Sequence, residues 1–540
     1  MAVGHSTNQR VVVIGAGIGG LTAAALLARR GYDVTVFDQA YVPGGCASTF
    51  KRRGFTFDVG ATQVAGLEPG GVHQQIFAEL DIPLPAATNC DPACAVYLPG
   101  ETTPISVWRD PLAWQVERQR QFPGSERFWQ LLATLFQASW RFQGREPVLP
   151  PRTPWDLWQL VSAVRPDTLI TAPFTFSTVG QLLRAFGLQG DRRLKTFLDL
   201  QLKLYSQVGA DETALLYAAT ALGVSQAPQG LFHLKGSMQV LSDRLVAALE
   251  RDGGKLLMRH TVEQIQSTQG RVTGVTVRDQ KTGDFRAQPA DIVVGNVTVQ
   301  NLVSLLGDDA PTGYRHRVEK LTDSSGAFVV YLGVDQAAIP ANCPPHLQFL
   351  YGYDGPIGEN NSLFVSVSRP GDGRAPEGKA TLIASSFTDL NAWKQDDYDS
   401  VKQHFTDTAI ARLGEFFDFR PEHIVHCEAG TPRTFERFTG RDRGAVGGLG
   451  MRVSTFGPFG FANRTPLPNL WLVGDCTHPG EGTAGVSYSA LTAVRQIDAA
   501  SLSVSPLGGP RGCLRTLRTV ACMFPARVWH GQPPAIAMLR

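Results

Sequence analysis

Residues Val11 through Ala28, VVVIGAGIGGLTAAALLA, are eighteen positions without a charge. That length suffices for a membrane-spanning helix, so this run must be assigned before the rest of the fold. Four of its residues are glycine, two of them adjacent, and each costs a helix interior about 1 kcal/mol relative to alanine. Their spacing gives a better account. Arg10 to Ile14 is a short β-branched run of the kind that forms a buried strand. Gly15, Gly17 and Gly20 follow as G-x-G-x-x-G, and Leu21 to Arg30 continues as an alanine- and leucine-rich helix. Gly31 stands where a glycine ends a helix, and Asp33 to Phe37 reads as a second strand ending at Asp38.

Each part has a physical task. Gly15 permits a tight turn, Gly17 lets backbone approach a pyrophosphate, and Gly20 lets helix and strand pack closely. The helix start directs free N–H groups and a positive dipole end at phosphate. Asp38 stands 21 residues after Gly17, where an acid accepts hydrogen bonds from a ribose diol. A glycine turn alone requires no ligand. Strand, turn, helix and acid together predict a bound dinucleotide.

NAD and FAD both use this element, and the distal sequence separates them. In NLWLVGDCTHPGEGTAGV, Leu470 to Val473 reads as a strand delivering Gly474 and Asp475, with a helix after Gly485. An acid at a strand end followed by a helix start suits the hydroxylated ribityl chain and second phosphate of a flavin. Asp475 alone reads equally well as a turn cap. No second G-x-G-x-x-G follows a strand, and the glycines at 444, 447, 448 and 450 have the wrong spacing. A pyridine nucleotide domain is therefore not expected, and the predicted electron acceptor is oxygen or a membrane quinone.

At 540 residues the chain is long for one core, so two or three substructures are expected. A net charge of +2 gives no support to nucleic acid as a partner. Of eight cysteines only Cys90 and Cys94 lie close together. No second pair stands at zinc spacing, so no metal site is expected and these read as free thiols in a reducing compartment. MAVGHSTNQR lacks an apolar signal core. No signal peptide or membrane span is expected.

The N-terminal fingerprint, Gly44-Gly45 and the distal Gly-Asp loop resemble the flavin amine oxidase and phytoene desaturase superfamily. PGGCASTF, GFTFDVGAT, TPRTFERFTGRDRGAVGG (Thr431 to Gly448) and VGDCTHPGEGTAGV (Val473 to Val486) are similar to the carotenoid desaturases and isomerases, most of all the cyanobacterial-type 3′,4′-desaturases. The similarity spans about residues 10 to 500. It implies FAD held by Gly15, Ala16, Gly17, Gly20, Asp38, Gly44, Gly45, Val262, Gly474, Asp475, Gly485 and Val486, with Val262 passing the adenine through its backbone. It implies desaturation of an acyclic carotenoid end group at the 3′,4′ bond. The alternatives are a cis–trans isomerase using reduced FAD, and a non-catalytic prenyl-binding escort protein of the same fold. Two departures stand out: many relatives carry Glu where this chain has Asp38, and Arg where it has Cys46. No catalytic residue is identified; Arg433, Glu436 and Arg437 are candidates near the site, with salt bridging the better reading.

The expected architecture is α/β, a Rossmann-like FAD-binding domain assembled from 1–100, 230–310 and 440–500. A mixed-sheet substrate domain with a helical cap takes 101–229 and 311–439. In the middle segment Gly236 to Ile265 reads as helix, turn and strand, and Asp291 to Val297 as a strand returning to the nucleotide sheet. Ala327 to Val334 reads as a strand of the second sheet. Six of nine tryptophans fall between Trp108 and Trp158. Phe128, Leu131, Leu132, Leu135, Phe136 and Trp140 recur at helical spacing beside several arginines. Such a stripe reads as core; tryptophan with arginine also marks a membrane surface. Residues 108 to 205 are thus the predicted contact of a monotopic protein on the cytoplasmic side of a membrane. The last forty residues hold five arginines and no acid and read as a disordered basic tail.

Overall fold

The computed structural model describes residues 9–394 and 396–504. Residues up to Val494 form one compact unit and those from Arg495 a second. The described part of the second is the end of the helix Thr483–Val504. The basic tail lies outside the described residues beyond Val504.

A five-stranded parallel sheet carries the nucleotide-type turn. Its order is Leu470–Leu472, Ile292–Gly295, Arg10–Ile14, Asp33–Asp38, Lys255–Met258. Val11, Val12 and Val13 are buried in its centre, as a valine run must be when both faces of a parallel sheet are covered. The first helix starts at Ile18, earlier than the composition alone indicates, and runs to Arg29. Every residue from Ile18 to Ala28 is buried, which is why it carries no charged face. It packs against the helix Gln239–Arg251, whose buried positions Leu241, Leu245, Ala248 and Leu249 follow the expected period. A three-stranded antiparallel sheet, His260–Thr268, Arg271–Asp279 and Phe285–Pro289, lies beside this assembly.

The second large sheet has seven strands, in the order Ile424–Gly430, Gly326–Asp335, Lys379–Thr388, Ser362–Val367, His346–Leu350, Cys94–Tyr97, Ile105–Val107. Pairing is antiparallel except between His346–Leu350 and Cys94–Tyr97. Helices between residues 111 and 223 form its helical neighbour. In Glu126–Gln143, Phe128, Trp129, Leu132, Leu135 and Phe136 are buried, the first four in one cluster with Trp114, Phe122 and Phe197. The apolar stripe is therefore mostly core, with Trp114 and Trp129 edge to face at 5.9 Å. Arg118 stacks on both rings, so this arginine serves packing. Exposed apolar side chains of the region lie on either side of the stripe: Leu112 and Val116 before, and Leu157, Trp158 (62%), Val161, Leu169 and Phe176 (68%) after. Phe176 also meets Phe459 at 5.5 Å. No helix among the described residues is long and apolar enough to cross a membrane. The six described cysteines, Cys90 and Cys94 included, are free thiols.

One buried cation ties distant segments together. Arg374 Nη2 donates to Asp58 Oδ2 at 3.0 Å, while Nη1 reaches Asp372 Oδ2 at 3.3 Å and the Leu234 carbonyl at 2.7 Å. Asp58 Oδ1 in turn accepts from the Met238 N–H at 2.8 Å. Arg374 and Asp58 are each 2% exposed at the side chain. Removing the cation strands two buried carboxylates. Arg374→Met is expected to lower unfolding free energy by about 3–5 kcal/mol in a denaturant titration, against about 0.5 kcal/mol or less for exposed Arg127→Met; equal effects of the two would refute this role.

Candidate functional site

The turn after the first strand is shaped by what lies across from it. Gly15 has φ +95° and its N–H donates to the Phe37 carbonyl at 2.8 Å. Asn296 follows the strand Ile292–Gly295 and donates its N–H to the Ile14 carbonyl at 2.8 Å. A Cβ on Gly15 would stand 2.7 Å from the Asn296 carbonyl oxygen; on Gly17, 2.7 Å from its Nδ2; on Gly19, 2.9 Å from its Oδ1. On Gly20 it would stand 2.0 Å from the Gly15 carbonyl oxygen. From the C-terminal loop, a Cβ on Gly474 would come within 3.0 Å of Asn296 Oδ1. Asn296 is thus the point where both predicted loops meet. The sequence places Asn296 inside the strand Asp291 to Val297 and gives it no role; the strand ends at Gly295, which frees Asn296 to face the turn.

Gly44 (φ +116°) and Gly45 (φ +58°) approach from the other side. The Gly44 N–H donates to the Ala16 carbonyl at 2.8 Å, and a Cβ on Gly45 would lie 3.4 Å from the Gly17 Cα. Gly17 begins the helix with no side-chain cap, and no acid sits in the first turn. Its unsatisfied N–H groups beside a floor of glycines make a cradle that fits a phosphate. Asp38 closes the far end. Its Oδ2 accepts from Ala16 N–H at 2.6 Å and Oδ1 from Ala40 N–H at 2.7 Å. Burial pushes this carboxyl up, and the two N–H bonds pull it back.

Gly474 (φ +111°) donates its N–H to Ser489 Oγ at 3.2 Å. The following helix begins at Thr483, so Gly485 and Val486 lie in its first turn, not ahead of it. A Cβ on Gly19 would meet the Val486 carbonyl oxygen at 3.3 Å; the two helix starts face each other. Val262 stands apart from these loops. It pairs with Val277 in the three-stranded sheet and its side chain joins Val12, Ile14 and Phe37 in the core under the parallel sheet. The neighbouring Arg259 does reach the Asp38 end, donating its N–H to the Ala40 carbonyl at 3.1 Å.

Asp475 is paired with Arg441 at 2.9 Å. Arg441 Nε donates to the Ala445 carbonyl at 2.6 Å, and Nη2 to the Gly447 carbonyl. The same guanidinium acts electrostatically on Cys46. At Cys46, where the resemblance led to an expected arginine, the neighbouring cation comes from residue 441. Nothing local in sequence signals this, since the two positions are almost four hundred residues apart. Burial pushes the Cys46 thiol up, and Arg441 draws it back. Of the three charged candidates in TPRTFER, Arg433 lies over the Tyr398 ring at 4.3 Å and donates to the Trp393 carbonyl at 2.7 Å. Glu436 and Arg437 are exposed.

This is a Rossmann-like unit joined to a mixed sheet, the architecture of the flavin amine oxidases. A profile of the NAD(P)-binding Rossmann-like domain matches residues 13–80. The solved structure of cyclohexylamine oxidase from Brevibacterium oxydans superposes with a TM-score of 0.59 at 16% identity, covering 91% of this chain and all of that one (100%). The chain's curated relatives include carotenoid desaturases and isomerases. Prolycopene isomerase 1 of an Oncidium hybrid cultivar is 27% identical over 516 residues, 92% of this chain and 85% of that protein. The zeta-carotene-forming phytoene desaturase of Myxococcus xanthus is 26% identical over 536 residues, 92% and 96% of the two chains.

The close approach at Gly20 is a measurable constraint. Gly20→Ala is expected to cost about 1–3 kcal/mol of stability by thermal or denaturant unfolding. Gly190→Ala, with nothing within 4 Å of its Cβ, is expected to cost about 0.5 kcal/mol or less.

Proposed function

We propose that this protein is an FAD-dependent carotenoid desaturase that removes two hydrogens from an acyclic carotenoid end group at the 3′,4′ bond. The observation that carries the reading is the convergence of two loops, 15–20 and 474–486, on Asn296. One supplies a phosphate cradle and the other an acid and a second helix start. FAD is the dinucleotide with chemistry for both, its adenylate half along Asp38 and its flavin half along Asp475. Gly15, Ala16, Gly17, Gly20, Asp38, Gly44, Gly45, Gly474, Asp475, Gly485 and Val486 would line it, with the Val262 backbone nearest the adenine. The flavin supplies the redox chemistry; the chain supplies binding and orientation, drawn from the discontinuous segments set out above.

Relatives that act on carotenoids, matched along nine-tenths of the chain, support a polyene as substrate. An apolar polyene does not diffuse through water, so the enzyme takes it from a membrane. The exposed Leu157, Trp158, Val161, Leu169 and Phe176 are the surface for that contact, at the cytoplasmic face. The electron acceptor is a quinone or oxygen. A second reading, cis–trans isomerisation with reduced FAD, is favoured by the 27% identity to a prolycopene isomerase.

FAD-loaded protein incubated anaerobically with an acyclic hydroxylated carotene separates the two. Bleaching of the flavin together with a red-shifted polyene spectrum is the outcome expected. An isomer change that needs pre-reduced flavin, without added conjugation, would replace desaturase by isomerase. Co-flotation with liposomes is expected for the unmodified chain and is to fall at least severalfold in Trp158→Ser/Phe176→Ser, each large apolar side chain being worth about 1.5–3 kcal/mol on burial.

A further inference from the structure

Glu481 lies in the loop between the last parallel strand and the helix Thr483–Val504, between Gly480 (φ +121°) and Gly482 (φ +87°). One carboxyl oxygen, Oε2, accepts from Gln207 Nε2 at 3.0 Å. The other oxygen, Oε1, is closed off from solvent and has no hydrogen-bond partner. A buried polar atom left unpaired is expensive, and in a native site it marks a group that acts on something. The charged and titratable groups around it are Asp475 on its own loop, Arg441 from the loop after the helix Pro432–Thr439, and Tyr217 and Lys203 from the helical layer. Burial, reinforced by Asp475 and opposed by the Gln207 bond, pushes the Glu481 carboxyl up to about 8.

Gln207 ends the helix Arg192–Ser206 in a left-handed conformation, φ +66°, a strain that side chains other than glycine rarely carry. It is buried, and its own Oε1 is also unpartnered. On its other side it lines an open pocket of about 160 Å³ together with Lys203, Glu212, Asp323, Ser325 and Arg452. Lys203 Nζ donates to the Gln207 carbonyl at 2.8 Å and to Ser325 Oγ at 2.9 Å. A single amide therefore stands between the buried carboxyl and a polar opening to water.

Resting on the reading that the 474–486 loop faces the flavin, we propose that Glu481 accepts the proton leaving the polyene, that Gln207 positions its carboxyl, and that the pocket beside Gln207 is the proton's outlet. Two C–H bonds on adjacent carbons break. The electron pair of one departs with its hydrogen as hydride to the flavin, which is the oxidant. The pair of the other becomes the new double bond, and its hydrogen passes as a proton to a Glu481 oxygen. Glu481 then returns to the carboxylate by release to water in the pocket.

The test uses the full FAD-loaded chain in liposomes, with an infrared titration of the carboxyl carbonyl band in the absence of substrate as the readout independent of turnover. In the unmodified protein the band is expected to vanish as pH rises through about 8, and Glu481→Gln is to lack it. Carotene oxidation is to rise about tenfold per pH unit below that point and then level. Glu481→Gln is to lose about 100-fold or more and to show no such rise. Gln207→Leu removes a donor to the ionised form, so the infrared midpoint and the rate midpoint are to move upward together. A Glu481→Gln protein that oxidises carotene with an unchanged pH profile overturns the role of Glu481 and leaves the desaturase reading standing. An unmodified protein whose band titrates but which never lengthens the polyene overturns the desaturase reading, and the proton role with it.

Discussion

At residues 15 and 20 a Cβ would strike the backbone carbonyls of Asn296 and Gly15, and at 17 and 19 it would displace the Asn296 side-chain amide. Interiors pack as densely as crystals, so this approach is a fixed distance, not a tolerance. It sets the spacing of the first two central strands, the angle at which the buried first helix leaves, and the seat of the Gly474 loop. The phosphate cradle is a by-product of the same packing. Where side chains are excluded, backbone N–H groups are what remains facing the opening.

A second constraint acts through charge. Arg374 lies between Asp58, Asp372 and the Leu234 carbonyl, drawing together pieces of chain that the sheets alone do not join. Buried ion pairs are weak sources of net stability but strict about partners. The Arg441–Asp475 pair has the same character at the other end of the site. Arg441 fixes the loop that carries Gly474, so geometry at that end of the site depends on a charge from another loop.

What could be read directly from the sequence was local. The fingerprint, the first two strands, the helix Gln239–Arg251 and the strand Gly326–Asp335 each announce themselves within about fifteen residues through period and turn chemistry. The stripe from Phe128 to Trp140 was equally legible as a face, yet a period says that a face is covered and not by what. Trp114 and Phe197 cover it, and the exposed apolar residues lie elsewhere. Asn296, Arg374 and Gln207 were not legible, because each acts on residues well over a hundred positions away, and Arg441 was not, because its partners Asp475 and Cys46 lie on other loops. The last helix starts three residues earlier than the sequence indicates, because Gly485 reads as a breaker, whereas its missing Cβ clears the Gly480 carbonyl at 2.6 Å.

The order of strands in the parallel sheet has a consequence for the life of the chain. The strand Arg10–Ile14 is made well over four hundred residues before its second neighbour on one side, Leu470–Leu472. During synthesis at about 5–20 residues per second, the glycine turn therefore waits roughly half a minute or more for the loop that completes its surroundings. Through that interval an apolar run without a charge, Val11 to Ala28, has no finished sheet to bury it. A group that needs both the 15–20 and the 474–486 loops can be held only once the chain has passed Leu470–Leu472.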